Sequence, residues 1–232
     1  MGQVRNPWHL RALSARAVNR GVTLLPGTEV LHLEQADDQV LAVHTTAGRV
    51  VGGSYVVTGG SWSTRFLEPL GCTARVRPLR GQIVLLSLVP TPIRQVVNVG
   101  PRYLVPRGDG KVLVGSTEEQ AGFDKQTTAS GVSGLMDFAL SLVPALGQAE
   151  FTQCWAGLRP QSVDGLPYLG RAPRAANAFI ATGHFRAGLQ LSPITARLLS
   201  QQILGQPLTM PLEPFAPDRH QTPADFDKPW DV

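Results

Sequence analysis

The chain has 232 residues, 43% of them hydrophobic and 16% charged, with 21 Lys and Arg against 17 Asp and Glu. That balance is too apolar for a disordered chain. No apolar run reaches the ~18–20 residues of a membrane span, and the opening MGQVRNPWHLRALSARAVNRG lacks the apolar stretch of a signal peptide. The net charge of +4 is carried by dispersed arginines, with Lys111, Lys125 and Lys228 the only lysines, so no basic cluster points to nucleic acid. Arginine suits a small anionic ligand, because its guanidinium forks onto a carboxylate or phosphate. Cys72 and Cys154 stand far apart without a CxxC or HxxxH partner, which predicts neither a disulfide scaffold nor a metal site. A reducing cytoplasm is the expected setting.

In chain order, Asn6 is expected to cap a first helix with Pro7 at its first position, and Gly21 to end it. Strand-like runs follow at Val22–Leu25, Glu29–Leu33, Val40–Thr45, Arg49–Val51 and Tyr55–Thr58, with turns at Ala36-Asp37-Asp38 and Ala47-Gly48. The last run leads into Gly59-Gly60-Ser61 and a short helix over Trp62–Leu70. A strand, a glycine pair and a helix start is either a tight turn or a place where backbone approaches a ligand.

A second block begins near Arg77. It carries strand candidates at Gly81–Leu88, Arg94–Val99, Tyr103–Pro106 and Lys111–Ser116, the last two flanking the hairpin signal Gly108-Asp109-Gly110. A helix is expected over Thr128–Leu142, then strands at Phe151–Leu158 and Ala178–Thr182. A final helix opens or kinks at Ser192-Pro193 and closes at Gly205. From Gln206 to Val232 six prolines and little periodicity predict an extended surface tail. Mixed helices and strands in two interleaved blocks indicate an α/β or α+β fold.

Three segments can carry chemistry. In CWAGLRPQSVDGLPYLG, Arg159 ends an apolar run and precedes Pro160, so its backbone is extended and its charge needs either Asp164 or a ligand. In ATGHFRAG, two glycines bracket His184 and Arg186 where backbone N–H groups can cradle a polarised oxygen. His184 is there either as a base or as a hydrogen-bonding scaffold. In YLVPR, Tyr103 is either packed on a sheet or orients a substrate.

Together, YLVPR…DG…VGST…GFD, WAGLRP…DGLPYLG and ATGHFRAGLQLSP resemble the D-amino-acid-oxidase-type flavoenzymes, and most of all the glycine oxidases of bacterial thiamine biosynthesis. The resemblance runs from about residue 2 to about residue 219. It implies a partial FAD-binding domain interleaved with an antiparallel substrate sheet: residues 1–75 and 156–205 on the cofactor side, 76–155 in the substrate sheet, 206–232 as tail. By resemblance, Arg159 binds the substrate carboxylate bidentately, Tyr103 orients it, and Arg186 stands at the substrate and flavin edge. His184, Phe185, Arg186, Ala187, Gly188, Leu189 and Gln190 form the loop around the flavin's pyrimidine side. Val30 meets the adenine, and Gly59, Gly60, Ser61 and Trp62 lie along the cofactor.

The same resemblance implies oxidation of a small amino acid (glycine, sarcosine or a D-amino acid) to an imine, then to an oxo acid and ammonia, with hydrogen peroxide released. Glu118, in GSTEEQ, is expected near the substrate, and Cys154 near a region where some relatives attach flavin covalently. The strand–GxGxxG–helix unit that opens such enzymes is absent from this sequence. The chain is therefore expected to be a fragment, one half of a split enzyme completed by a chain with that unit, or a non-catalytic binding protein. A homo-oligomer is also compatible.

Overall fold

A computed structural model describes residues 3–220. Helix α1 (Asn6–Asn19) takes Asn6 into its first turn, so the cap position falls on Arg5 and no side chain caps the helix. Asn6 is thus not the cap that the sequence suggests. Pro7 fits because first-turn N–H groups have no partner to lose. Gly21, at φ 86, stops the helix in a conformation that an L side chain strains. The helix buries no residue, and Trp8, Leu10, Leu13 and Val18 are each half exposed or more. The run Val22–Leu25 does not form the expected strand. It has β-forming residues but no neighbouring strand among the described residues; instead the Val22 N–H donates to the Ala17 carbonyl at 3.0 Å and the Leu25 carbonyl accepts from the Thr28 N–H at 3.3 Å.

Three antiparallel strands, β1 (Val30–Ala36), β2 (Gln39–Thr45) and β3 (Gly48–Val50), make a meander. Glu34 ties it together by accepting from Arg49 Nε at 2.7 Å and bonding His44 Nε2 at 2.8 Å. Strand β4 (Tyr55–Val57) leads to a 3-10 turn at Gly60–Trp62 and a four-residue helix, α2 (Thr64–Leu67). The longer helix expected to Leu70 stops here: Glu68 keeps helical angles, but Pro69 has no N–H with which to continue the ladder.

The second block contains β5 (Val76–Ser87), β6 (Val97–Val99), β7 (Arg102–Pro106), β8 (Lys111–Gly115), α3 (Ala129–Leu142) and β9 (Glu150–Ser162). Thr128 caps α3, its hydroxyl accepting from the Gly131 N–H at 3.2 Å. Strand β5 starts five residues before the expected Gly81, because it pairs with β9 along its whole length. Strands β10 (Tyr168–Ala172) and β11 (Ala175–Thr182) follow, the first unforeseen from its sequence. Helix α4 (Gly188–Ile203) begins before Ser192-Pro193 and contains that proline. Pro193 has no N–H for the Leu189 carbonyl, and the Ser192 hydroxyl donates to that carbonyl instead, at 2.9 Å.

The five-stranded sheet β6-β7-β8-β5-β9 buries one face against α3. Val84, Leu86, Leu104, Val112 and Val114 meet Leu135 and Ala139 there, all fully buried. The sheet β10-β11-β4 is covered on both faces. Ala178 and Ile180 enter a core with Tyr55, Leu67 and Leu70, while alternate residues Phe179 and Ala181 pack on Leu198 and Leu199 of α4. This is the period-two alternation of a sheet buried on both sides.

The segment after α4 is not a free tail over its described part. Leu212 is 5% exposed in the α4 cluster. Arg219 donates to both oxygens of Asp164, each at 2.8 Å, and lies over the Tyr168 ring. The remainder, 221–232, lies outside the described residues.

Candidate active site

The face of the five-stranded sheet turned away from α3 carries the site. Register places Leu79, Gly81 and Ile83 of β5, Trp155, Gly157 and Arg159 of β9, Gly115 of β8 and Tyr103 of β7 on that one face. The glycines make room. A Cβ at Gly81 would run into the Arg159 guanidinium, and one at Gly115 would stand 2.6 Å from the Tyr103 ring and hydroxyl. Arg159 and Tyr103 thus reach across their neighbouring strands and converge.

Arg159 is half-buried. Its Nη1 donates to the Thr117 carbonyl at 3.2 Å and its Nη2 to the Ser116 hydroxyl. Burial pulls its pKa below the usual value, opposed by the neighbouring Tyr103 and Glu118. A guanidinium nevertheless stays protonated, and both of these acceptors are neutral. Asp164, the alternative partner that its spacing suggests, is taken by Arg219 instead.

Ser116, Thr117 and Glu118 belong to the segment after β8. That segment is clamped by Arg80, whose Nε donates to Glu119 at 2.9 Å and whose Nη1 donates to Asp124 at 2.9 Å. Gln82 donates a further bond to Glu119 at 2.7 Å. None of these clamping residues was singled out in the sequence, since a buried ion pair between distant segments leaves no local pattern.

Arg186 reaches the same place from the 3-10 turn Phe185–Ala187. Its Nη1 stands 3.3 Å from the Glu118 carboxylate, and its Nη2 donates to the Pro101 carbonyl at 3.0 Å. His184 bonds the Thr195 hydroxyl at 3.0 Å, and burial lowers its pKa, so the ring is a neutral scaffold element. Phe185 has φ 50, a left-handed conformation rare for a bulky residue. Such strain gathers where backbone geometry serves a site, and no local sequence pattern announces it.

Two clefts flank β4. One, of about 300 Å³, is lined by Val30, Leu33, Val43, Val56, Thr58 and Gly59. The other, of about 510 Å³, is lined by residues including Gly60, Thr182, His184, Phe185 and Gly188. Val56 and Thr58 line both, so the furrow is a pair of clefts on opposite faces of the β10-β11-β4 sheet that share the open edge of β4. The furrow gathers six of the residues expected to hold a cofactor. The N-terminus of α4 adjoins it with no side-chain cap, and the 3-10 turn Phe185–Ala187 leads straight into it.

Other expected residues line neither cleft. Ser61 is buried and its hydroxyl donates to the Leu158 carbonyl at 3.4 Å. Trp62 packs on Phe123, with ring centroids 5.6 Å apart. Ala187, Leu189 and Gln190 are also outside the lining. Cys154 packs on the α3 side of the sheet, and its thiol donates to Thr127 at 3.5 Å. That is the face opposite Arg159, which removes it as a covalent flavin attachment point.

Two clefts sharing the edge of β4, and a half-buried arginine whose hydrogen-bond acceptors are both neutral, are features that an extended cofactor and a small acid would need. Comparisons with known proteins agree. Residues 2–202 match the family model described as DAO, FAD dependent oxidoreductase. Glycine oxidase of Pseudomonas aeruginosa is 36% identical over 218 residues, covering 94% of this chain and 60% of that protein. The crystal structure of glycine oxidase from Geobacillus kaustophilus superposes with a TM-score of 0.87 at 32% identity, over 91% of this chain and 57% of that one. The iminodiacetate oxidase structure from Chelativorans sp. BNC1 gives 0.81 at 30% identity, covering 90% and 58%. The chain thus spans somewhat under two thirds of the length of these relatives. The chain belongs to the DAO family of FAD-dependent oxidoreductases.

Proposed function

We propose that the chain forms the substrate-binding side of an FAD-dependent oxidase of small amino acids, glycine, sarcosine or a D-amino acid. The observation that carries this is the convergence of Arg159 and Tyr103 over Gly81 and Gly115 on the sheet face away from α3. In this reading residues 1–75 and 156–205 serve the cofactor side and 76–155 the substrate side.

When bound, FAD supplies the hydride acceptor that turns the amine into an imine. The chain's own residues position the substrate. Arg159 takes the carboxylate through two N–H groups, and the Tyr103 hydroxyl orients it. With the carboxylate fixed, the Cα–H direction is fixed too, and orientation of this kind supplies much of a rate. Backbone N–H groups of residues 185–190 and the start of α4 stabilise negative charge developing in the furrow. Val30 and Gly59 hold the far end. His184 moves no proton in this scheme, and the imine hydrolyses to an oxo acid and ammonia.

The phosphate-binding GxGxxG unit is absent from these 232 residues, and we place it on the edge of β4. That strand pairs with β11 in parallel on one side and ends the sheet on the other. Exposed Val22, Leu24 and Leu25 supply apolar surface for such a unit. It is either a further part of the same protein or a separate complementing chain. Two free cysteines suit a reducing cytoplasmic setting.

Flavin absorbance and glycine-dependent oxygen uptake test the reading. The chain alone is expected to be inactive, and the chain supplied with a GxGxxG-bearing polypeptide active. Specific amino-acid binding without any flavin requirement would show a binding protein instead.

A further inference from the structure

Glu118 has no role in the scheme above, yet it stands among the groups that do. Its side chain is 9% exposed, and its Oε1 accepts no hydrogen bond. Arg186 Nη1 lies 3.3 Å from that oxygen, near enough to attract but not aligned to donate. The charge of Glu118 also acts on Arg159. A buried carboxylate oxygen with no donor is costly, and in native proteins it calls for an explanation.

The backbone around it is fixed on both sides. Thr117 and Ser116 hold Arg159, and Glu119 is locked by Arg80 and Gln82. Glu118 is therefore presented by a rigid segment rather than by a loose loop. The two guanidinium groups of Arg159 and Arg186 carry two positive charges and Glu118 one negative. The cluster is left with a single positive charge, which matches one substrate carboxylate and no more. An amine on the same small molecule then has one acceptor to find, the Oε1 that attracts Arg186 but accepts no hydrogen bond.

We propose that Glu118 is a specificity residue of this site: it accepts a hydrogen bond from the substrate's amino group and repels a second carboxylate. The inference rests on the substrate reading of Arg159 above. It assigns the site to zwitterionic monocarboxylates and against N-carboxymethyl dicarboxylates of the iminodiacetate kind. The attraction also favours the ammonium over the free amine, so Glu118 strengthens binding while opposing the deprotonation that oxidation requires.

Calorimetric titration of the chain, with FAD in the buffer, tests this with three probes: glycine, glycolate (a hydroxyl in place of the amine) and iminodiacetate. In Glu118→Gln the affinity for glycine is expected to fall about tenfold, the size of one charge-assisted hydrogen bond. Glycolate should stay within about twofold, and iminodiacetate should gain relative to glycine, since it loses a like-charge neighbour. Glu118→Asp keeps the charge and should keep the discrimination against iminodiacetate. Equal losses for glycine and glycolate, or ratios unchanged in Glu118→Gln, would overturn the role of Glu118 and leave the Arg159 reading standing. A wild-type chain that binds neither glycine nor glycolate even when completed by a GxGxxG-bearing polypeptide and FAD would overturn both.

Discussion

Gly81 and Arg159 are matched as a floor and the group that lies on it. Any Cβ at position 81 occupies the space of the Arg159 guanidinium. The backbone of Gly81 is ordinary extended strand, paired with Gly157 of β9. The absence of a side chain is therefore needed for space and not for conformation. Gly81→Ala should fold, since alanine accepts a strand backbone, yet displace the guanidinium. A shift of about 1 Å in a substrate-positioning group can cost on the order of 10²-fold in rate. Glycine kinetics in the completed enzyme, beside a melting curve of the variant, check this. A fully active Gly81→Ala would show that Arg159 does not need its present position.

Removing the guanidinium itself is the more direct test. Arg159→Ala should cost about 2–4 kcal/mol in kcat/KM, the loss of a bidentate charge-assisted contact. Arg159→Lys should recover only part of it, because an ammonium cannot fork onto both carboxylate oxygens. The expected signature is a raised KM. Unchanged kinetics in Arg159→Ala would refute the carboxylate role.

The meander that walls the furrow has a pH dependence of known sign. Hydrogen bonds from Arg49 and then His44 lower the pKa of Glu34 from 4.5 to about 2. A carboxyl lowered on folding contributes stability that is fully present above its unfolded value and lost as pH falls through the folded one. The contribution should thus disappear between about pH 4.5 and about pH 2. Urea midpoints of wild type and Glu34→Gln, compared across that range, should approach each other as pH falls. A constant gap would mean that the pair adds nothing pH-dependent to the fold.

Leu212 tests the docking of the segment after α4. It is 5% exposed among Leu169, Phe179, Leu198 and Leu199. Leu212→Ala should destabilise by about 2–5 kcal/mol, the range for a buried leucine whose cavity does not collapse. Chemical denaturation measures it. A loss well under 1 kcal/mol would show that the segment is not part of the core.

A chemistry-bearing segment is legible in the sequence where an apolar strand carries a residue that such a strand does not ordinarily hold. Only Arg159 after CWAGL stands out in this way; Tyr103 in YLVPR and Arg186 between two glycines take their roles from the family resemblance, and the structure brings all three near one another. What remained hidden depends on partners distant in sequence. The clamp from Arg80 to Glu119 spans 39 positions, and no local pattern announces it. Strand β10 carries Gly170 and Arg171 and exists through its pairing with β11. Val22–Leu25 shows the converse, with β-forming side chains but nothing to pair with. At α4 the proline lies inside the helix and does not open it, because the Ser192 hydroxyl takes over the carbonyl that Pro193 leaves free.

The division of the five-stranded sheet into an α3 face and a ligand face has an evolutionary consequence. Neighbouring positions of one strand answer to different selection: Val84 and Leu86 to folding, Gly81 and Ile83 to whatever molecule is held. Changes on that face leave the packed face untouched, so the scaffold can exchange what it holds there without first becoming unstable. Diversification of substrate within such a lineage then needs few mutations, concentrated at alternate residues of β5, β7, β8 and β9.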